Sequence, residues 1–236
     1  MIRLAVGMFS VCAFFASTPA FAAGSFVPPN GCALDLTVQM RGCQMANVYH
    51  CETDPEGERW ISYADSKGEY FLSRIDYETR WLESISLIGG EIDRLDEAAS
   101  KDHSSFSTLL AQGRDAYDFV TQSNFGQTRR QIGADWLVDE HRTVDGITLQ
   151  RCDFRLETRD TAGNLIARRK GVQYIDPVRR IFYSGPEHYS TPDGTQFDTD
   201  NTPVAFATEG DAGFGATKPT YGCDLMMTGL RPEDLQ

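Results

Sequence analysis

Four histidines, His50, His103, His141 and His188, are the first residues to weigh for acid–base or metal chemistry. No two stand four residues apart, the spacing that puts two imidazoles on one face of a helix for a shared metal. His141 has the most suggestive company, in Asp139-Glu140-His141, because a nearby carboxylate tunes an imidazole as a base. On a strand, Asp139 and His141 share a face and Glu140 points away, so the couple reads first as a solvent-side ion pair. No catalytic residue is assigned; His141 and Asp139 are the nearest to candidates. The Gly-x-Ser-x-Gly elbow of a hydrolase is absent, and among 34 acidic residues nothing singles out a glycosidase pair.

Two loop-like runs also suggest ligands. Asp193-Gly-Thr-Gln-Phe-Asp-Thr-Asp-Asn201 is rich in oxygen donors, but its spacing does not fit an EF-hand, and it reads as a polar loop. Gly210 to Lys218 imitates a phosphate loop, yet Ala216 and Thr217 separate Gly215 from Lys218, and Pro219 forbids the helix that must follow. Neither a metal site nor a cofactor is expected. The basic groups Arg129-Arg130, Arg168-Arg169-Lys170 and Arg179-Arg180 are each divided between two faces of a strand, and read as partners of local acids. Aromatic residues are spread through the chain, among them Trp60, Tyr70, Phe71, Trp81, Tyr117, Phe119, Trp136, Phe182 and Tyr183; most are expected in the core, and a curved sheet lined by them could hold a lipid or sugar.

The compartment decides how the cysteines are read. Arg3, the apolar run Leu4 to Phe15 and Ala20-Phe21-Ala22 follow the order of a cleavable secretory signal peptide over residues 1–22. Cys12 lies inside the apolar run after Val11, which disfavours a lipid anchor. The expected product starts near Ala23, periplasmic or secreted, with no later apolar run of about 18 residues to span a membrane. It keeps 21 basic against 34 acidic residues, a net charge of −13 that disfavours nucleic acid and anionic membrane as partners.

Cys32, Cys43, Cys51, Cys152 and Cys223 remain, and in an oxidising compartment disulfides are expected with one thiol left over. Their spacing matches no usual zinc motif. Cys152 shares strand parity with Phe154 and Leu156 and is the expected free, buried thiol. The pairing of Cys32, Cys43, Cys51 and Cys223 stays open, although a hairpin centred near Arg41-Gly42 would set Cys32 roughly opposite Cys51. A bridge to Cys223 would tie the two ends of the domain.

These residues need a scaffold, and the patterning predicts a mainly β fold. Leu34, Leu36, Val38 and Met40 alternate with Asp35, Thr37 and Gln39, and Asn47 to Glu52 reads as the returning strand. Turn signals recur at short intervals between β-rich segments at Arg59–Ala64, Glu69–Ile75, Arg80–Ile88, Ile147–Thr158, Leu165–Ile175 and Val178–His188. Asp145-Gly146 is the clearest hairpin turn. One short helix is expected over Ser105 to Gln112, closed by Gly113 and plugging an open end. The expected architecture is a single-domain antiparallel meander over 23–236 that forms a curved sheet, half-barrel or barrel. Its tail, from about 191 to 236, reads as irregular, with one short strand at Val204–Thr208. Two segments, Arg74-Ile-Asp-Tyr77 with Arg80 and Tyr174-Ile-Asp-Pro177 with Arg180, look alike and read as a shared hairpin grammar.

Leu36-Thr-Val-Gln-Met-Arg-Gly-Cys43, Ser73-Arg-Ile-Asp76, Trp81-Leu-Glu-Ser84 and Ser184-Gly-Pro186 resemble a family of exported bacterial proteins with no assigned activity. The likeness spans about residues 32 to 224; it implies export and lends no catalytic residue. The leading expectation is a non-enzymatic β-sheet module for an apolar ligand or protein partner, with a lipid, a glycan or an envelope protein as the partner classes. A cell-envelope hydrolase with a carboxylate/His site and a structural envelope protein are the alternatives.

Overall fold

A computed structural model describes residues 24–223 of the chain. The expected signal peptide, with Cys12, and residues 224–236 of the tail lie outside the described residues.

The alternating stretch Leu34 to Met40 forms β1 (Cys32–Met40), which turns at Arg41-Gly42-Cys43 into β2 (Gln44–Cys51). The meander runs on through β3 (Arg59–Asp65), β4 (Gly68–Ile75), β5 (Trp81–Ser86) and β6 (Ile92–Asp96). Helix α1 (Phe106–Gln112) interrupts it before β7 (Arg114–Ser123) and β8 (Thr128–Val144). Then come β9 (Ile147–Arg159), β10 (Leu165–Asp176), β11 (Ile181–Ser190) and β12 (Gln196–Asp200). Finally β13 (Pro203–Ala207) crosses back to pair with β1, which completes one 13-stranded antiparallel sheet. The sheet curls but does not close into a barrel; β12 and β13 are its edges.

Local chemistry explains where strands begin and end. At the β8–β9 turn, Asp145 and Gly146 both take positive φ, 47° and 78°, as a two-residue hairpin of matching twist requires. The strand expected from Val178 starts only at Ile181, because the Asp176 carboxylate accepts from Val178 N and Arg179 N, both at 2.9 Å, and holds a turn. Asp76 does the same for Glu78 N and Arg80 N, which delays β5 to Trp81. The resemblance between these two segments is thus one turn chemistry used twice. The tail departs from expectation: it carries β12 as well as β13, with β12 bonded to β11 although all five of its residues are exposed.

The curl brings the two halves of the sheet together. Leu36, Val38, Ala46, Val48 and Ile61 from β1 to β3 pack with Leu149, Ile181, Tyr183 and Phe206 from β9, β11 and β13. Burying such side chains contributes about 1.5–3 kcal/mol each. The tip of the β8–β9 hairpin reaches the edge strand β13, where the Asp145 carboxylate accepts from Phe206 N at 2.9 Å. A second cluster sets Phe106 and Leu109 of α1 against Cys152 and Ile175. The helix is capped as expected, with Ser105 Oγ accepting from Thr108 N at 3.1 Å and Gly113 left-handed at its end. Arg180 fastens this end, donating to Tyr77 O at 2.7 Å and to Glu78 at 2.9 Å, while Glu78 also accepts from Ser107 N at 2.9 Å.

Thr37, Gln39 and Asn47 lie on the polar face of β1 and β2, yet all are buried. The stretch after β13 covers them: Gly215 N donates to Thr37 Oγ1 at 2.8 Å, Asn47 Nδ2 to Ala216 O at 3.0 Å, and Thr220 N to Gln39 Oε1 at 2.8 Å. The run that imitated a phosphate loop is therefore a structural strap. Cys43–Cys223 locks it to the β1–β2 turn, and Cys32–Cys51 joins directly opposed residues of β1 and β2.

Candidate functional site

The Asp139 and His141 carboxylate–imidazole couple sits on the exposed part of β8, 3.9 Å apart, with Asp139 fully in solvent. Neither residue lines the cavities described below. His50 bonds to Asp35 at 2.9 Å and His188 to Asp198 at 2.8 Å, both in partly exposed positions. The donor-rich run from Asp193 is spent locally, with Asp193 accepting from Thr195 N at 3.0 Å and Asp200 from Thr202 N at 3.0 Å. Among the described residues no group of His, Cys, Asp or Glu is arranged to hold a metal ion. The basic groups are mostly matched with acids: Arg129 with Glu91 and Asp93, Arg168 with Glu157, Arg169 with Glu187, Arg179 with Asp176.

The feature that stands out is a cavity of about 340 Å³ inside the curl. Its wall takes Tyr63, Tyr70, Phe71 and Trp81 from β3 to β5 and Tyr117, Phe154, Leu156 and Phe182 from β7, β9 and β11. Ser73, Ser84, Gln173 and Ser184 supply scattered polar atoms, and Arg169 is held away from them by two bonds to Glu187, at 2.7 and 2.9 Å. Strand register explains this wall. Tyr117, Gly133, Leu156 and Arg169 are successive cross-strand partners over β7 to β10 and so face the same way. Gly133 is what lets the Tyr117 ring lie flat across β8, since a Cβ there would come within 2.5 Å of it.

A smaller annex of about 60 Å³ shares Trp81, Tyr117, Gln173 and Phe182 with that cavity and adds Phe119 and Asp135. Phe119 stands edge-on to Trp81, ring centres 5.6 Å apart, and 5.8 Å from Tyr117. Asp135 is 7% exposed. Burial, then the charge of Asp115, pushes its pKa up to about 7, and no hydrogen bond from a described residue offsets them. Asp115, its partner across β7–β8, is buried as well, and its pKa is raised by burial. That carboxylate is employed: its Oδ2 accepts from Ser105 N at 2.8 Å, at the entry to α1. Neither acid stands in a motif that would have singled it out in the sequence.

A broader groove of about 720 Å³ lies on the opposite face of β8 to β12, between Trp136, Val172 and Pro186. Arg155 stacks over Trp136 at 5.5 Å on that face and Lys170 lies beside it. It is shallow and open, whereas the cavity inside the curl is walled by both halves of the sheet.

Cys152 is buried and takes part in no disulfide. No helix of the described residues is long and apolar enough to cross a membrane. Comparison with protein-family models, curated proteins and solved structures finds no match to this chain.

Proposed function

We propose that this chain is an exported, non-enzymatic β module that holds an apolar ligand inside the curl of its sheet. The observation that carries this reading is the wall of aromatic rings around the 340 Å³ cavity, with polar side chains set between them. Small-molecule sites are concave, of about 300–1,000 Å³, and combine aromatic side chains with polar groups that orient the ligand. The exposed position of His141 and Asp139 favours binding over hydrolysis, which would need a base, an orienting group and a reacting atom brought together. Two disulfides suit a protein exported to an oxidising compartment, periplasmic or secreted, as the N-terminal pattern and the family resemblance imply.

Native mass spectrometry of gently purified protein, followed by titration with the neutral fluorophore N-phenyl-1-naphthylamine, tests the reading. A retained apolar molecule, or saturable probe binding that Ser84→Phe abolishes by filling the cavity, is the expected result. Absence of both retained ligand and probe binding would overturn it.

A further inference from the structure

Asp135 is a carboxylate only 7% exposed, to which no described residue donates a hydrogen bond. Largely removing a charge from water without a partner costs stability. Its register partner Asp115 has an explanation in Ser105 N, but Asp135 has none among the described residues. It lines the annex that opens from the cavity, in company with four aromatic rings. A carboxylate among aromatic rings, whose π faces are negative, is a combination that attracts a cation. The annex is a few water molecules in size, enough for an ammonium head, and the larger cavity that shares its lining offers the rings of Tyr63, Tyr70 and Phe71 to an apolar tail.

We propose that the ligand held in the curl is an organic cation with an apolar tail, its charged nitrogen seated against Asp135 between Trp81, Tyr117, Phe119 and Phe182. This rests on the cavity being a ligand site, and adds the chemical class of the ligand. The groups facing Asp135 agree with it. Asp115 on β7 adds a second negative charge, Tyr117 on β7 and Cys152 on β9 are both pushed up by burial and stay neutral, and Arg169 on β10, whose charge acts on Tyr117, is paired with Glu187.

The test is calorimetric titration of the purified chain with four probes that share an eight-carbon tail: octyltrimethylammonium, octylamine, octanol and octanoate. Both cations are expected to bind at least tenfold more tightly than octanol, with octanoate weakest. The cation affinity should fall as the pH is lowered below about 7, where Asp135 takes up a proton. Asp135→Asn should bring both cations to the level of octanol and leave octanol itself unchanged. Phe182→Leu, which stays apolar and removes the ring, should reduce the preference for octyltrimethylammonium severalfold. Equal binding of cations and octanol, or a cation preference that survives Asp135→Asn, overturns the proposal while leaving an apolar site in place. Failure of all four probes to bind overturns the proposal and the site together.

Discussion

Asp115 and Asp135 face each other across the β7–β8 ladder, both buried, and only Asp115 has a hydrogen-bond donor, the Ser105 N–H at 2.8 Å. The ladder thus places two acids of like charge side by side and gives one of them a structural task. For the other, burial and then the charge of Asp115 raise the pKa from 3.8 to about 7 with no donor to offset them.

That difference makes stability depend on pH in a definite direction. Below about 3.8 the folded and unfolded chains both hold the Asp135 proton; between 3.8 and about 7 only the folded chain keeps it. Stability from this group therefore falls as pH rises through that window, and is fully lost above 7. Asn resembles the neutral acid and loses nothing. Asp135→Asn should match the native chain in urea unfolding near pH 4 and exceed it at pH 8 by on the order of 2–4 kcal/mol. The same offset at both pH values would show that the carboxylate is not strained by burial.

The parts of the fold that could be read from the sequence are those governed by near neighbours. Leu34 to Met40 alternates cleanly, Asp145-Gly146 names its turn, and Ser105 with Gly113 bounds the helix. Strands β6, β7 and β8 carry no such pattern because polar residues share their inward positions with apolar ones. In β7 the inward series is Asp115, Tyr117, Phe119 and Thr121, and β8 is broken by an irregular register between Leu137 and His141. Edge strand β12 has no buried residue and so no hydrophobic pattern at all. The annex was the least legible, since Asp135 gains its meaning from Trp81 and Phe182, strands away, which only the curl brings to it.

The two disulfides should differ in what their loss costs. Cys32–Cys51 closes a separation of 19 residues and Cys43–Cys223 one of 180. In chain-entropy terms these restrain the unfolded chain by about 3 and about 5 kcal/mol. The longer bridge also anchors the strap over Thr37, Gln39 and Asn47. Replacing Cys43 and Cys223 with Ala should therefore lower the unfolding midpoint further than replacing Cys32 and Cys51. The reverse order in thermal unfolding would mean that the strap adds little.

Gly133→Ala tests the close approach that shapes the cavity wall. The new methyl would lie 2.5 Å from Arg155 O and 2.5 Å from the Tyr117 ring. The ring can swing aside, but the carbonyl belongs to the neighbouring strand and cannot. A cost of about 2–4 kcal/mol is expected, and the displaced ring should enter the cavity and weaken N-phenyl-1-naphthylamine binding. Full stability with unchanged probe binding would place Tyr117 elsewhere.

Cys152 reports on the same region through its reactivity. It lies beneath Phe106 and Leu109 of α1, fully buried, and burial followed by the Asp135 charge pushes its thiol well above the ordinary range. Thiolate is the reactive form, so both access and ionisation suppress attack. Ellman's reagent at pH 8 should leave the folded chain unmodified and titrate this thiol at once in denaturant. Modification of the folded chain then requires α1 to lift, so its rate measures the opening of that end of the curl. Leu109→Ala, which removes packing between helix and thiol, should raise the rate at least tenfold without altering the denatured-state reaction. A fast reaction in the native chain would mean that α1 does not seal this end, and the annex beside Asp135 would then be open to water from both sides.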